Sequence, residues 1–277
     1  MIGAFGTTFQ NPILLAAGTA GFGRELHDTV ALDRLGGLVT KSVSPEPRAG
    51  HPAPRVAEFA GGMLNAIGLA NPGVTAVAER ELPWLARALR RARVLVSVVG
   101  DTIDAYVTVV TALTGHEVVS AFELNLSCPN TARGGEHFGA NDDVLRDLIA
   151  ACRVATPRSL IAKLAPTLQD VGRTAAVAVD AGADGISVVN TLPGLGPVST
   201  GQGGISGPPL LPIGLLAVRR VRAAVQVPII GVGGVRTLED VEAYRDAGAA
   251  LVAIGTAALA DPRCPERLAH GWERRHG

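Results

Sequence analysis

Ala121-Phe122-Glu123-Leu124-Asn125-Leu126-Ser127-Cys128-Pro129-Asn130 begins as an apolar-alternating strand and ends in an amide, a hydroxyl, a thiol and a second amide. A strand that delivers polar groups at its carboxyl end suits a fold whose chemistry sits on that edge of the sheet. Pro129 restricts the backbone at the cysteine, and the flanking amides can bind a planar ring with carbonyl and N–H edges. A thiol in that setting suits proton abstraction. A lone cysteine also serves as a small buried hydrophobe, and these residues alone leave both readings open.

Outward from this stretch the same pattern repeats. Runs rich in Val, Ile and Leu fall at 13–17, 37–42, 94–99, 121–127, 159–165, 185–191, 228–233 and 250–256, and helical patterns at 74–90, 102–114, 141–155, 169–181, 209–224 and 237–247. Apolar runs alternating with helices are the mark of parallel strands covered on both faces. Asn141-Asp142-Asp143 and Thr237-Leu238-Glu239-Asp240 read as helix N-caps, and Ala181-Gly182-Ala183 and Ala247-Gly248-Ala249 as helix ends. About eight such units predict an α/β fold, a (β/α)8 TIM barrel, as a single domain over residues 1–277. Lys41-Ser42, Ser97, Asn125 with Cys128, Lys163 and Asn190-Thr191 all lie at or just past strand ends, where such a barrel keeps its active site. An open doubly wound sheet would carry a glycine-rich dinucleotide turn after its first strand. The stretch Ala17-Gly18-Thr19-Ala20-Gly21-Phe22-Gly23 is a poor one, because no helix clearly starts there.

The chain has 277 residues, 47% of them hydrophobic, enough for a large core, with no shift of composition that marks a linker. Lys plus Arg equals Asp plus Glu at 25 each, so the net field gives no reason to expect nucleic acid or an anionic membrane. The basic run Arg87, Arg90, Arg91 and Arg93 reads as a solvated helix end. No signal peptide and no stretch of roughly 20 apolar residues is present, so a cytoplasmic protein is expected. Three separated cysteines, Cys128, Cys152 and Cys264, make no C-x-x-C pair and argue against a disulfide framework or a metal cluster in this chain.

Two insertions interrupt the βα rhythm. Residues 43–72 are punctuated by prolines and then by Val56 to Phe59 and Gly61 to Asn65, which predict a small hairpin over the carboxyl face. The glycine-rich stretch from Pro193 to Pro209 reads equally as a lid or as a disordered loop. Gly231-Val232-Gly233-Gly234 and Gly255-Thr256 occupy the turns where barrels commonly bind a phosphate, although tight turns also use glycine. Lys41 and Lys163 end strands among apolar neighbours, a costly place for a cation unless each faces an anion. That anion is a ligand or, for a structural pair, Glu123 or Asp184. Asn65-Ala66-Ile67-Gly68-Leu69-Ala70-Asn71 and Asn190-Thr191 offer amides and backbone N–H groups to the same mouth, or simply satisfy their own turns.

These residues resemble the catalytic subunit of class 1B dihydroorotate dehydrogenase, a family of FMN-dependent (β/α)8 barrels. The likeness runs from about Asn11-Pro12 to Pro265. It rests on Thr40-Lys41-Ser42, Gly62 to Leu69 with Asn71-Pro72-Gly73, Glu123 to Asn130, Asn190-Thr191-Leu192, Gly203 to Pro208, Ile229 to Val235 and Gly255-Thr256-Ala257. The resemblance implies that dihydroorotate is oxidised to orotate in pyrimidine (UMP) biosynthesis. Cys128 would then be the base that removes a proton while hydride passes to FMN, and Lys163 would stabilise the reduced flavin. It implies a substrate site of Lys41, Asn65, Ala66, Ile67, Gly68, Leu69, Asn125, Asn130, Asn190 and Thr191. It implies FMN contacts from Ala17, Lys41, Ser42, Ser97, Asn125, Lys163 and Val189, and from Gly207, Gly233, Gly234, Gly255 and Thr256.

It also implies a separate iron–sulfur and FAD electron-transfer subunit that hands electrons to NAD, and a homo-oligomer. Gly134-Gly135 and Phe138-Gly139 are more similar to class 1B than to the fumarate-using class 1A, and the serine base and N-terminal membrane extension of class 2 are not found. The chain departs from the family at Ala17, where serine is usual, and at Ser97, where asparagine is usual, and it stops soon after its last helix. Three alternatives stay open: another FMN barrel acting on a related dihydropyrimidine, a non-redox phosphate-binding lyase or isomerase barrel, and a non-catalytic scaffold.

Overall fold

A computed structural model describes residues 1–127, 129–130 and 136–277, with backbone alone at positions 129, 130, 136 and 137. The chain opens with an antiparallel hairpin of β1 (Ile2–Ala4) and β2 (Thr7–Phe9), turned at Phe5-Gly6, both of which have positive φ. β3 (Ile13–Leu15) and β4 (Gly37–Val39) follow, then β5 (Val56–Phe59) and β6 (Gly62–Asn65) of the first insertion. Next come β7 (Arg93–Val98), β8 (Val119–Asn125), the short pair β9 (Pro129–Asn130) and β10 (Glu136–His137), β11 (Ser159–Leu164) and β12 (Gly185–Val188). β13 (Leu192–Leu195) and β14 (Gln202–Ser206) form the second insertion, before β15 (Ile229–Val232) and β16 (Leu251–Ile254). Strands β3, β4, β7, β8, β11, β12, β15 and β16 close, in that order, into a parallel barrel. All eight lie inside the runs expected to be strands, apart from one or two residues added at the starts of β7 and β8.

The helices are α1 (Gly73–Ala76) and α2 (Leu82–Ala88), joined by a π turn, then α3 (Ile103–Leu113), α4 (Asp142–Ala155) and α5 (Val171–Asp180). α6 (Leu211–Ala224), α7 (Leu238–Asp246), α8 (Thr256–Ala260) and α9 (Cys264–His276) complete the set. The expected caps form. Asn141 accepts from the N–H groups of Asp143 and Val144, and Thr237 and Asp240 make a reciprocal capping box at α7. Gly182 and Gly248 end α5 and α7 with φ of 111° and 112°, a left-handed position that costs glycine least. Helix α2 stops at Ala88, short of the expected residue 90. The N–H groups of Arg90, Arg91 and Ala92 all donate to Asp33 Oδ1, at 2.8, 2.7 and 3.0 Å.

Alternation along each strand sorts the core into two layers. Ile13, Leu15, Leu38, Val96, Phe122, Leu124, Ile186 and Val252 pack outward under the helices. Leu14, Ala16, Val39, Leu95, Ala121, Ile161, Ile230, Val232, Leu251 and Ala253 fill the interior together with Ala4, Phe5 and Phe9 of the hairpin. The hairpin is therefore a plug. A Cβ on Gly185, the first residue of β12, would stand 2.2 Å from the Phe5 ring, which puts the plug at the amino-terminal end and leaves the carboxyl end as the mouth.

Three features went unread in the sequence. Strands β1 and β2, of three residues each, are too short to show a period. Helix α9 is dominated by charge and buries few side chains. The two insertions form one structure, a four-stranded antiparallel sheet in the order β13-β14-β6-β5. The expected hairpin is its β5–β6 half. The stretch read as a lid or a loose loop supplies the other half, with Leu64 opposite Ile205 and Asn65 opposite Gly204.

Candidate active site

Following the inward-facing positions of each strand toward its carboxyl end, the apolar interior gives way to polar groups. Ser97 lies opposite Glu123, Asn125 opposite Lys163, and Lys163 opposite Ser187, so four neighbouring strands present a polar band two levels deep. Above β4, Lys41 and Ser42 continue it, and Ser42 Oγ and Ser97 Oγ lie 2.9 Å apart, both buried. Cys128 follows β8 directly in the chain but lies outside the described residues. Asn130 lies in β9, where the backbone alone is described. Past that loop, Gly139 N–H donates to Leu126 O at 3.1 Å, and Phe138 meets Tyr106 edge-on. The Tyr106 hydroxyl donates to Asn125 O at 2.6 Å, so the end of β8 is held from behind.

The two lysines differ. Lys163 is 7% exposed, and its Nζ lies 3.2 Å from Oε1 of Glu123, itself 1% exposed. Of the two structural partners weighed for Lys163, Glu123 is the one found, whereas Asp184 pairs with Arg153 at 2.8 Å. Lys41 has no carboxylate partner among the described residues. Burial, and after it the nearby Arg55 guanidinium, push its ammonium below the ordinary lysine range. A cation held in this way is a site for an anion. Among the described residues Arg55 itself donates to carbonyls alone, those of His51 and Ala49.

Amides complete the mouth. Asn190 Nδ2 donates to Asn125 Oδ1 at 3.3 Å, while Asn190 Oδ1 accepts from Thr191 N–H at 2.8 Å. Val189, which precedes Asn190, is buried. Asn65 Nδ2 donates to Gly204 O at 3.0 Å and ties β6 to β14. Ala66, Ile67, Gly68 and Leu69 form a loop braced on residues 48–55. Ala66 N–H donates to Arg55 O, Ile67 O accepts from His51 N–H, and Gly68 and Leu69 turn with φ of 71° and 56°. Asn71 takes the second of the two roles read for this segment and satisfies its own turn: its amide donates to Ser44 Oγ and Leu69 O and accepts from Ser44 and Gly73 N–H.

On the far side, Gly233 and Gly234 follow β15 with positive φ, and Gly255 and Thr256 follow β16 at the start of α8. The N–H groups of Gly234 and Val235 have no acceptor among the described residues. A Cβ on Gly255 would meet nothing closer than Ala16 Cβ and Thr19 Oγ1 at 3.8 Å, and one on Gly18 only Lys41 Nζ at 3.8 Å. Both turns thus make only ordinary contacts where a Cβ would stand, and Gly18 lies next to the Lys41 ammonium. Thr256 Oγ1 donates to Ser206 Oγ at 2.9 Å, which joins the inserted sheet, next to Gly207, to this side of the mouth. Two lysines, clustered amides and glycine turns with free N–H groups can together hold a planar polar ring, a carboxylate and a phosphate.

Comparison with known proteins agrees with this chemistry. A family model described as dihydroorotate dehydrogenase matches residues 2–275. The chain is 42% identical over 277 residues to a protein of Pelobacter propionicus named dihydroorotate dehydrogenase B (NAD(+)), catalytic subunit, covering 97% of this chain and 90% of that protein. Proteins of the same name from Geobacillus kaustophilus and Listeria monocytogenes are 42% and 41% identical, over 95% of this chain and 87% and 89% of theirs.

Proposed function

The chain belongs to the dihydroorotate dehydrogenase family, and from that premise we propose that it oxidises dihydroorotate to orotate for pyrimidine synthesis, with FMN at the carboxyl mouth and Cys128 as base. The observation that carries the reading is the polar band of Ser97, Glu123, Asn125, Lys163 and Ser187, set beside Lys41 and the glycine turns. The residues present fit FMN. Gly234 and Val235 offer N–H groups to its phosphate, a Cβ at Gly18 or Gly255 would meet nothing closer than 3.8 Å, and Ser187 Oγ is buried with no hydrogen-bond partner among the described residues. Bound there, FMN supplies the hydride acceptor.

The chain's own residues do the rest. Lys41, short of a carboxylate partner, faces the substrate carboxylate. Asn125, Asn190 and Thr191, with Asn65 and Asn130, take the ring's carbonyl and N–H edges. Cys128 takes the proton from the ring carbon beside the carbonyl, and its place three residues after Asn125, just past the end of β8, supports that role. Lys163 contributes positive charge where reduction adds negative charge. Ser42, Ser97, Val189, Gly207 and Gly233 border the same space.

The names of the relatives, catalytic subunit and NAD(+), support a separate electron-transfer partner. We assign it iron–sulfur and FAD chemistry, since three separated cysteines offer no cluster here. No helix among the described residues is long and apolar enough to cross a membrane, and a cytoplasmic location accompanies this reading. The test is anaerobic mixing of the FMN-loaded protein with dihydroorotate. Bleaching of the flavin band with formation of orotate is expected, and a flavin that stays oxidised under excess dihydroorotate rules the assignment out.

A further inference from the structure

The ion pair Glu123–Lys163 is hard to explain as a device for stability. Both groups lie out of water inside the barrel, at 1% and 7% exposure. Their inward neighbours along the same strands, Ala121 and Ile161, are apolar and fully buried. A buried pair is weak evidence for stability, because well-packed apolar side chains of the same volume commonly do as well. The pair is also directional. Glu123 stands two residues below Asn125 on β8, deeper than the mouth, while Lys163 is level with Asn125 on β11. The carboxylate therefore holds the lysine from beneath. One ammonium N–H goes to Glu123 at 3.2 Å, no other acceptor for it exists among the described residues, and the other two are left for a group above.

We propose that Glu123 is a positioning residue for the reaction: through Lys163 it sets where the ammonium stands and offsets its charge, and so sets the reduction potential of the flavin. The inference rests on the proposed function, which places Lys163 beside FMN. Reduction adds negative charge to the flavin. A lone ammonium would favour the reduced form strongly, whereas an ammonium paired to a carboxylate presents a dipole of no net charge. Glu123 thus keeps the flavin from becoming too good an electron trap to pass its electrons on. The consequence runs against the usual expectation for a broken ion pair: neutralising Glu123 makes the flavin easier to reduce.

The test compares FMN-loaded wild type, Glu123→Gln, Lys163→Gln and the double variant by flavin content, thermal midpoint and dye-equilibrated midpoint potential. Glu123→Gln keeps the shape and the hydrogen bond. It should raise the preference for reduced over oxidised flavin about tenfold, the size of the roughly one-unit shift that a nearby charge gives a titrating group, or about 30 mV for a two-electron couple. Lys163→Gln should move the potential the other way. The glutamine exchange added to Lys163→Gln should then move it little, because a buried carboxylate without its ammonium takes up a proton. An unchanged or lower potential in Glu123→Gln, while Lys163→Gln moves, overturns the role of Glu123 and leaves Lys163 beside the flavin. A potential unmoved in Lys163→Gln removes Lys163 from the flavin, and this proposal with it. Should Glu123→Gln not fold, Glu123→Asp withdraws the charge by one methylene and should give a smaller shift of the same sign; the opposite sign overturns the proposal.

Discussion

Lys41 shows how one side chain can work against the fold that carries it. Burial, then Arg55, hold its ammonium below the ordinary lysine range in the folded chain. Between that lowered pKa and the unfolded value the unfolded chain binds more protons, so stability rises with pH through that window, and below it the charged lysine opposes folding. Lys41→Met should therefore raise the thermal midpoint, by about 2–4 °C if the gain is about 1 kcal/mol, while abolishing orotate binding. A lower midpoint in calorimetry would show that the lysine has a partner. In the wild type, orotate affinity should fall as pH climbs through the lowered pKa, earlier than an ordinary lysine near pH 10.4 allows. Titrating the flavin spectrum with orotate across alkaline pH reads this directly. Cys128→Ala should keep FMN and orotate but slow flavin reduction at least about 100-fold, the usual contribution of a positioned base. Cys128→Ser should retain a little activity that grows with pH, since a hydroxyl is a far weaker acid than a thiol of pKa about 8.5. Stopped-flow reduction at wild-type rate in the alanine variant would remove Cys128 from the mechanism.

Among the elements, the turn after β15 has the least freedom. Gly234 has φ of 76°, and a Cβ there would stand 2.5 Å from the backbone nitrogen of Leu211, the first residue of α6. Backbone cannot give way as a flexible side chain can. Gly234→Ala should cost about 1–3 kcal/mol as a strained residue, and should lower the FMN content of the purified protein. Full flavin occupancy by absorbance ratio would show that the phosphate lies elsewhere. The inserted sheet is an element the sequence only half revealed. Val56 to Asn65 reads as a hairpin because both of its strands are local. Gln202 to Ser206 is glycine-rich and gains its strand character from pairing with β6, more than 130 residues away in the chain.

For the molecule as a whole, the two ends of the barrel separate stability from function. Phe9 is fully buried in the amino-terminal plug. Phe9→Ala should cost about 3–5 kcal/mol in chemical denaturation, yet leave the KM for dihydroorotate unchanged, because the hairpin and the polar band occupy opposite ends. A KM raised several-fold would show that the plug sets the strand ends. The route of electrons out of the molecule is also a property of the whole chain. With no cysteine cluster and no dinucleotide fingerprint, the protein purified alone should reduce artificial dyes with dihydroorotate but not form NADH. Rapid NADH formation by a preparation shown by mass spectrometry to hold only this chain would end the partner requirement. Rapid succinate formation from fumarate would move the enzyme to the fumarate-using class.

The eight barrel strands, the capped helices and the gathering of Lys41, Ser97, Asn125, Lys163 and Asn190 at the strand ends were all legible in the amino-acid order, because each depends on local periodicity or on a turn residue's own preference. The plug, the last helix and the joined insertions were not. A three-residue strand carries no period, a charged helix little apolar stripe, and a glycine-rich strand no propensity, so each is held by contacts with distant parts of the chain. Glu123 marks the same boundary. Its sequence neighbours allowed it to be one of two counter-ions or none, and only the register in which β8 pairs with β11 put its carboxylate 3.2 Å from the lysine.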